Sequence, residues 1–236
     1  MGERAILINF PPEISEELLD ILIYYKNLLQ KLLVKEKVEV TNTYASLLIY
    51  YPFDIEDVYS EVLRVKAVFN EVNIPINSLS QIFHIPVCYE LQFGIDLDYI
   101  SRENNAPVEE IISRHLSSIY TVYFIGFLPG FLYLGGLDKT LQIARKKSPR
   151  KRVEKGAVGI GENQTGIYPK DSPGGWQIIG NSPIEILDKN RLPPCPISPG
   201  DKIKFYPISL PEYEAIKTGI KLGGFEIKRE HNDGRN

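Results

Sequence analysis

YFIGFLPGFLYLGGL at residues 123–137, ARKKSPRKR at 144–152 and GIGENQTGIYPKDSPGGWQIIG at 159–180 together decide how this chain folds. The segment that they span, residues 123–180, contains the single tryptophan and the densest positive charge of the sequence. Glycine lets the backbone adopt positive φ or approach a ligand closely, and proline fixes the turns between such points. The segment therefore predicts a site built from loops on a β scaffold.

The sequence around this segment predicts short strands separated by Gly/Pro turns, the pattern of a β-barrel or sandwich over residues 79–218. A strand at His84–Tyr89 and helices at Leu97–Arg102 and from Pro107 onward precede it, and a short helix at Pro211–Lys217 ends it. Residues 219–236 are polar and predict a disordered tail, so His231 is given no functional role. The predicted strands of the barrel are Tyr120–Phe127, Leu141–Ala144, Gly156–Gly161, Trp176–Gly180, Ile184–Leu187 and Lys202–Tyr206.

Residues 1–78 predict a separate α/β domain with the order strand–helix–strand–strand–helix. The first helix has apolar residues at three- and four-residue steps and Ser15 as its cap, and the second has Asp54 as its cap. With a further strand near Phe83–Cys88, this order indicates a ferredoxin-like α+β domain. Its features are explained by packing or partner binding, without chemistry of its own. The stretch Asn73–Ser80 has linker composition and marks the predicted boundary.

Composition excludes several classes of protein. The chain has 236 residues, 43% of them hydrophobic, a net charge of −3 and a pI of about 5.7, so it has no global basic field for nucleic acid. The two cysteines, Cys88 and Cys195, are far apart and favour a reducing cytoplasm over a disulfide framework. The amino terminus lacks a secretory pattern, and the most apolar run, residues 18–33, is interrupted by charges. We expect a cytoplasmic protein without a membrane span.

Common catalytic motifs are absent from the sequence. There is no Walker A motif, no HExxH and no GxSxG, and Gln164 stands where a dinucleotide fingerprint requires glycine. We therefore expect no metal in this chain, and ATP, if it is used, is not bound by this chain alone.

The basic run at residues 145–152 places six cations in eight residues. A solvated hairpin explains the lysines equally well, and nucleic-acid binding is disfavoured by the acidic overall charge. A third interpretation is carboxylate recognition, because arginine donates two parallel hydrogen bonds to a carboxylate. The candidate residues for this role are Arg145, Arg150 and Arg152.

Four other residues are candidates for the site. Gln164 offers an amide donor and acceptor, and Tyr168 offers a phenol. Trp176 beside two glycines is a candidate ligand platform, although core packing is the more common role of tryptophan. His115 lies near the C-terminal end of a predicted helix, where the helix dipole explains a histidine as well as catalysis does.

The motifs GFLPGFLYLGGL, SPRKRVEKGAVGIGENQTGIYP and SPGGWQIIG, following an HIPVCYE strand, resemble the KipI/PxpB family, also called allophanate hydrolase subunit 1-like. The resemblance covers about residues 2–215. It implies an N-terminal α/β domain followed by a cyclophilin-like β-barrel, and a partner of the KipA/PxpC type with a related barrel.

The resemblance leaves two functions open. In the PxpB branch, the implied role is the B subunit of an ATP-dependent 5-oxoprolinase that also needs a LamB/YcsF (PxpA)-type subunit and opens 5-oxo-L-proline to L-glutamate. Arg145, Arg150, Arg152, Gln164 and Trp176 would bind substrate, and His115 or Tyr168 would assist proton transfer. In the KipI branch, the implied role is inhibition of a sensor histidine kinase. The isolated chain is expected to be inactive in either case.

Overall fold

A computed structural model describes residues 3–70 and 80–232 of the chain. Its contacts divide the chain into two compact units, residues 1–78 and 79–236, each with its own buried apolar cluster. The linker predicted at 73–80 lies, except for Ser80, outside the described residues. Within the described ranges, no helix is long and apolar enough to cross a membrane.

The first unit is a three-stranded antiparallel sheet with two helices. Strand β1 (Ala5–Asn9) pairs with β3 (Ser46–Tyr50), and β3 pairs on its other edge with β2 (Glu39–Asn42). The strand order is therefore β1–β3–β2. Leu22 and Leu29 of the first helix and Leu47 of the sheet are fully buried in the same apolar cluster. The elements are β1 (Ala5–Asn9), α1 (Glu16–Leu32), β2 (Glu39–Asn42), β3 (Ser46–Tyr50) and α2 (Val58–Val68).

The two helix caps of this unit differ in how well the sequence predicts them. Ser15 caps α1 as predicted, because its side chain accepts a hydrogen bond from the Leu18 N–H. The prediction of Asp54 as the cap of α2 is wrong. Asp57 caps that helix and accepts from the Ser60 N–H at 3.1 Å, whereas Asp54 is paired with Arg4 at 2.5 Å.

The ferredoxin-like topology expected for this unit is incomplete among residues 3–70. Such a sheet needs a fourth strand, which the sequence placed near Phe83–Cys88. That strand, β4 (Gln81–Val87), pairs instead with β12 (Lys202–Pro207) in the sheet of the second unit, with Phe83 opposite Ile203. The buried residues Phe83, Ile85 and Val87 belong to the core of the second unit, which explains this placement.

The second unit is built on an eight-stranded mixed sheet in the order β11–β8–β9–β6–β5–β12–β4–β13, with a separate two-stranded sheet of β7 and β10. The pair β12–β4 is parallel and the other pairs are antiparallel. Its helices are α3 (Leu97–Glu103), α4 (Val108–Ser117) and α5 (Leu210–Lys221). Its remaining strands are β5 (Tyr120–Ile125), β6 (Leu132–Gly135), β7 (Arg150–Val153), β8 (Ala157–Gly161), β9 (Gln164–Ile167), β10 (Ser172–Gly174), β11 (Gln177–Asn181), β12 (Lys202–Pro207) and β13 (Arg229–His231).

Whole-strand pairing does not close this sheet into a barrel within the described residues. Strand β11 lies at one end of the sheet order, and its contact with the end of β4 is the isolated bridge between Cys88 and Asn181. Each of these two residues donates its N–H to the carbonyl of the other at 2.9 Å. The structure is therefore a mixed α/β fold with a large mixed sheet.

Two predicted strands are not strands. Within residues 141–144, Leu141 is the last residue of a 3-10 turn, Lys139–Leu141, and Ile143 makes one isolated bridge with Glu162. Residues 184–187 have no regular secondary structure, although Ile184 and Ile186 are buried. In both cases the apolar residues fill the core without forming a hydrogen-bonded ladder, so their hydrophobicity misled the prediction.

Residues 219–232 depart from the predicted disordered tail. Helix α5 continues to Lys221, and β13 pairs with β4 so that Arg229 lies opposite Phe83. Phe225 and Ile227 pack against the core of the second unit. These two apolar side chains and the pairing of β13 with β4 hold the polar segment against the edge of the sheet.

Replacing Ile227 with Ala should therefore destabilise the second unit. Because Ile227 is half-buried, we expect a loss of about 1–2 kcal/mol in the free energy of unfolding, below the value for a fully buried isoleucine. Urea unfolding followed by the fluorescence of Trp176 measures this unit alone, since it holds the single tryptophan. The neighbouring exposed Glu226→Ala is the control, and equal midpoints for the two variants would contradict the packing of the tail.

Candidate functional site

The indole of Trp176 packs directly on the backbone of β8 and β9. A Cβ atom at Gly161 would lie 2.6 Å from the indole Nε1, and one at Gly166 would lie 3.0 Å from Cζ3. Real Cβ atoms essentially never approach another heavy atom to 2.6 Å, and a contact of 3.0 Å is tighter than most, so glycine at these two positions leaves room for the ring. The glycines of the central segment thus serve to seat a large aromatic side chain against the sheet.

Trp176, Phe131 and Tyr168 wall a cavity of about 330 Å³, here called the aromatic pocket. The ring of Phe131 meets Trp176 edge-to-face at 5.4 Å and Tyr168 edge-to-face at 5.1 Å, an arrangement that aromatic rings favour. The volume of the pocket is within the range of about 300–1,000 Å³ found for small-molecule sites. The lining residues are Phe127, Phe131, Tyr133, Arg145, Lys146, Pro149, Tyr168, Pro173, Gly174, Gly175 and Trp176.

Two cations line the aromatic pocket. The guanidinium carbon of Arg145 lies 5.8 Å from the centroid of Trp176, within the distance of a cation–π contact, and Arg145 Nε is 3.6 Å from Glu162. The Lys146 Nζ lies 3.7 Å from Asp96 Oδ1. A pocket with aromatic walls and two cations suits a small ring that bears a negative charge.

Two phenols also line the aromatic pocket. Burial raises the pKa of Tyr168, and it raises the pKa of Tyr133 as well. Both side chains are therefore neutral at pH 7 and keep a proton to donate. The pocket thus offers hydrogen-bond donors in addition to its positive charge.

Asp96 and Arg150 lie behind the aromatic pocket. The Asp96 side chain is buried, and its Oδ1 accepts a hydrogen bond from Arg150 Nη2 at 2.5 Å. Arg150 Nη1 donates to the Trp176 carbonyl at 3.3 Å. Arg150 is therefore held by protein partners on both sides of its guanidinium group, and it is not among the residues that line the pocket.

Arg152 and Gln164 do not line the aromatic pocket. Arg152 is paired with Asp171 at 2.7 Å, its side chain is 70% exposed, and it lines a separate cleft of about 340 Å³. Gln164 is buried, and its Oε1 has no hydrogen-bond partner within the part of the chain that the structure describes. Of the seven residues singled out in the sequence, the structure brings Arg145, Tyr168 and Trp176 together in one pocket.

His115 is completely buried in the core and does not line the aromatic pocket. Its ring stacks on Phe205 at 4.8 Å and bonds Tyr89 and Thr165 through its two nitrogens. The Thr165 hydroxyl donates to the Gly159 carbonyl, so it must accept from the His115 Nε2–H, and Nδ1 must accept from the Tyr89 hydroxyl. His115 is thus a neutral imidazole within a fully satisfied hydrogen-bond chain. Both ring nitrogens are thus engaged by other protein side chains, away from the aromatic pocket.

The sequence did not single out several residues that lie in or beside the pocket. Phe131 and Tyr133 lie in the motif GFLPGFLYLGGL, which belongs to the predicted site segment, but the sequence does not distinguish these two aromatic residues from their neighbours. For Lys146 a solvated hairpin explains the sequence as well as a binding role does, but its side chain is half-buried at the pocket. Asp96 lies 50 or more residues before Lys146, Arg150 and Ile178, so no local pattern predicts its contacts with them. Among residues 3–70 and 80–232, no three His, Cys, Asp or Glu side chains are grouped to hold a metal ion.

The buried His115 predicts a pH-dependent stability. Burial lowers the pKa of His115 from 6.5 to about 3, so the unfolded chain binds a proton below pH 6.5 that the folded chain does not. This contribution to stability is complete above pH 6.5 and is lost as the pH falls toward 3. Between pH 7 and 5 the loss amounts to about 2 kcal/mol.

Urea unfolding at pH 7 and pH 5 tests this linkage. We expect His115→Gln to show a smaller pH dependence than the wild-type chain, because the variant has no proton to gain at this position. His231→Gln, a substitution of an exposed histidine of β13, is the matched control and should retain the wild-type dependence. An unchanged dependence in His115→Gln would show that another group causes it.

Comparison with known proteins places the chain in a defined family. A family model described as "Carboxyltransferase domain, subdomain C and D" matches residues 1–197. The chain is 34% identical to the 5-oxoprolinase B subunit of Bacillus subtilis, over 92% of this chain and 95% of that protein. It is 37% identical to the 5-oxoprolinase B subunit of Haemophilus influenzae, over 87% of this chain and 94% of that protein.

A solved structure supports the fold. The crystal structure of the Kluyveromyces lactis urea carboxylase matches 98% of this chain with a TM-score of 0.82 at 22% identity. The chain corresponds to 23% of that much longer protein. At this identity the similarity concerns the fold alone.

Proposed function

The chain belongs to the carboxyltransferase-domain family of subdomains C and D, and on that premise we propose that it is the B subunit of an ATP-dependent 5-oxoprolinase. The match to the two bacterial proteins of that name over most of both lengths carries this proposal. It also confirms the resemblance to the KipI/PxpB family. The names of these relatives favour the enzyme over the inhibitor of a sensor histidine kinase.

In the proposed reaction, the complete enzyme opens the lactam of 5-oxo-L-proline to L-glutamate. ATP transfers its γ-phosphoryl group to the amide oxygen and ADP leaves. Water then adds to the activated carbon, and the C–N bond breaks to give a free amine and an acyl phosphate. A second water releases phosphate and gives the carboxylate of L-glutamate. The proposed partners are a KipA/PxpC-type subunit and a LamB/YcsF (PxpA)-type subunit, and the isolated chain is inactive. We also propose that the second unit is related to a cyclophilin-like barrel, which the bridge between Cys88 and Asn181 supports.

The contribution of this chain is substrate binding in the aromatic pocket. Arg145 and Lys146 would bind the carboxylate of 5-oxoproline, since both line the pocket and both are cationic side chains. The ring would lie against Trp176 and Phe131. Tyr168, with its buried neutral phenol, would donate a hydrogen bond to an oxygen of the substrate.

This arrangement revises the candidate residues. Arg150 supports the pocket through Asp96 and Trp176, and it makes no proposed contact with substrate. His115, Arg152 and Gln164 lie outside the pocket, so no role in binding or proton transfer is assigned to them.

The test is glutamate formation from 5-oxoproline and ATP by the reconstituted three-subunit enzyme. For Arg145→Gln plus Lys146→Gln, we expect KM for 5-oxoproline to rise at least about tenfold, because two charge-assisted hydrogen bonds to the carboxylate are lost. Lys147→Gln is the matched control, since Lys147 is the next residue, is exposed and does not line the pocket.

Two results separate the parts of this proposal. If the wild-type assembly forms no glutamate, the function is wrong. If it forms glutamate and the double variant has the wild-type KM, the function stands and the site is wrong.

Binding by the isolated chain gives a second test. Because Trp176 is the single tryptophan and walls the pocket, 5-oxoproline should change its fluorescence in a saturable way. The Arg145→Gln plus Lys146→Gln variant should need at least about tenfold more ligand for the same change. Equal titration curves for the two proteins would contradict carboxylate binding at this pair.

A further inference from the structure

We propose that Asp96 is a positioning residue of the aromatic pocket, which fixes both the backbone at Trp176 and the ammonium group of Lys146. The inference rests on the proposed function for its kinetic consequences, and on the structure alone for its effect on Trp176. Asp96 does not line the pocket and would not contact substrate. It acts through residues that do.

The first observation is that Asp96 takes the place of a strand partner for β11. The Ile178 N–H donates to Asp96 Oδ2 at 2.6 Å, and the Asp96 N–H donates to the Ile178 carbonyl at 2.9 Å. Both backbone groups of Ile178 are therefore satisfied by one residue. Ile178 lies two positions after Trp176, so this contact fixes the direction of the chain as it leaves the pocket.

The second observation is the link through Arg150. The same carboxylate accepts from Arg150 at 2.5 Å through Oδ1, and Arg150 donates to the Trp176 carbonyl at 3.3 Å. The side chain of Asp96 is 6% exposed and that of Arg150 is 22% exposed, so water screens this pair weakly. Trp176 is thus held from both sides, by Arg150 at its own carbonyl and by Asp96 two residues later.

The third observation concerns Lys146. Its Nζ lies 3.7 Å from Asp96 Oδ1, and its backbone N–H donates to the Gly175 carbonyl at 2.7 Å. Lys146 is therefore held at both its backbone and its ammonium group, beside the loop that carries Trp176. Without the carboxylate, a flexible lysine side chain is free to extend into solvent, and placing it on a ligand would cost side-chain entropy.

A role in stability alone would also explain a buried ion pair. That role requires the contacts with Ile178 and Arg150, and it does not require the contact with Lys146 at the pocket. The two explanations differ in kinetics, since destabilisation lowers the amount of active enzyme and leaves KM unchanged, whereas mispositioning raises KM.

The experiment compares Asp96→Asn with wild type in the reconstituted enzyme and in the isolated chain. The asparagine oxygen can still accept from Ile178, but the charge that holds Arg150 and Lys146 is gone. We expect KM for 5-oxoproline to rise about tenfold, with kcat per folded enzyme within about twofold of wild type. In the isolated chain, we expect Trp176 emission to shift to longer wavelength and its quenching by acrylamide to increase.

Two further variants make the result decisive. Arg150→Lys keeps the charge opposite Asp96 but lacks the fork that reaches the Trp176 carbonyl, so it should reproduce the change in Trp176 quenching. Asp171→Asn is the control, because Asp171 forms an exposed ion pair with the same strand, β7, outside the pocket. It should leave both KM and quenching unchanged.

The outcomes distinguish this inference from the proposed function. Glutamate formation with a wild-type KM in Asp96→Asn would overturn the inference and leave the function standing. If the wild-type assembly forms no glutamate, the proposed function is wrong, and the quenching of Trp176 in the isolated chain then tests the role of Asp96. Quenching equal to wild type in both Asp96→Asn and Arg150→Lys would overturn that role.

Discussion

The buried carboxylate of Asp96 is the constraint on which the site depends. An ionised carboxylate that loses its water must regain the lost interactions from protein groups, or its burial costs several kcal/mol. Here the replacement partners are the Ile178 N–H, the Arg150 guanidinium and the Lys146 ammonium. These groups come from distant parts of the sequence, so satisfying one charge forces three segments of the chain to meet beside the aromatic pocket.

The second constraint is steric. The Trp176 ring can occupy its place only because Gly161 and Gly166 have no side chains, and this ring then forms the wall that Phe131 and Tyr168 complete. At the rim, Phe127 has a positive φ of 62° and is 64% exposed. A non-glycine residue held in this conformation is characteristic of functional loops. The pocket therefore has a floor of closely packed rings and an exposed aromatic edge.

Local features of the sequence predicted those elements that local forces control. Ser15 caps its helix because a serine hydroxyl reaches a free N–H three residues later. The same rule failed for Asp54, where an ion pair with Arg4 from the other end of the unit competes for the carboxylate. Prediction from local pattern also failed for residues 184–187 and for the tail, where apolar side chains fill space in a core whose shape depends on the whole sheet.

The sequence by itself predicted a site on a β scaffold in the glycine- and cation-rich segment, and it determined which family that segment resembles, because both depend on residue types in fixed order. The tertiary structure alone decided which cations line the aromatic pocket. The sequence does not distinguish the roles of the cations in the basic run, which include Arg145, Lys146, Arg150 and Arg152. In the structure, Asp96 pairs with Arg150 behind the pocket and Asp171 pairs with Arg152 outside it. The physical reason is that a charged side chain that loses water needs an oppositely charged or hydrogen-bonding partner. Which partner is available depends on contacts between residues that are distant in the sequence.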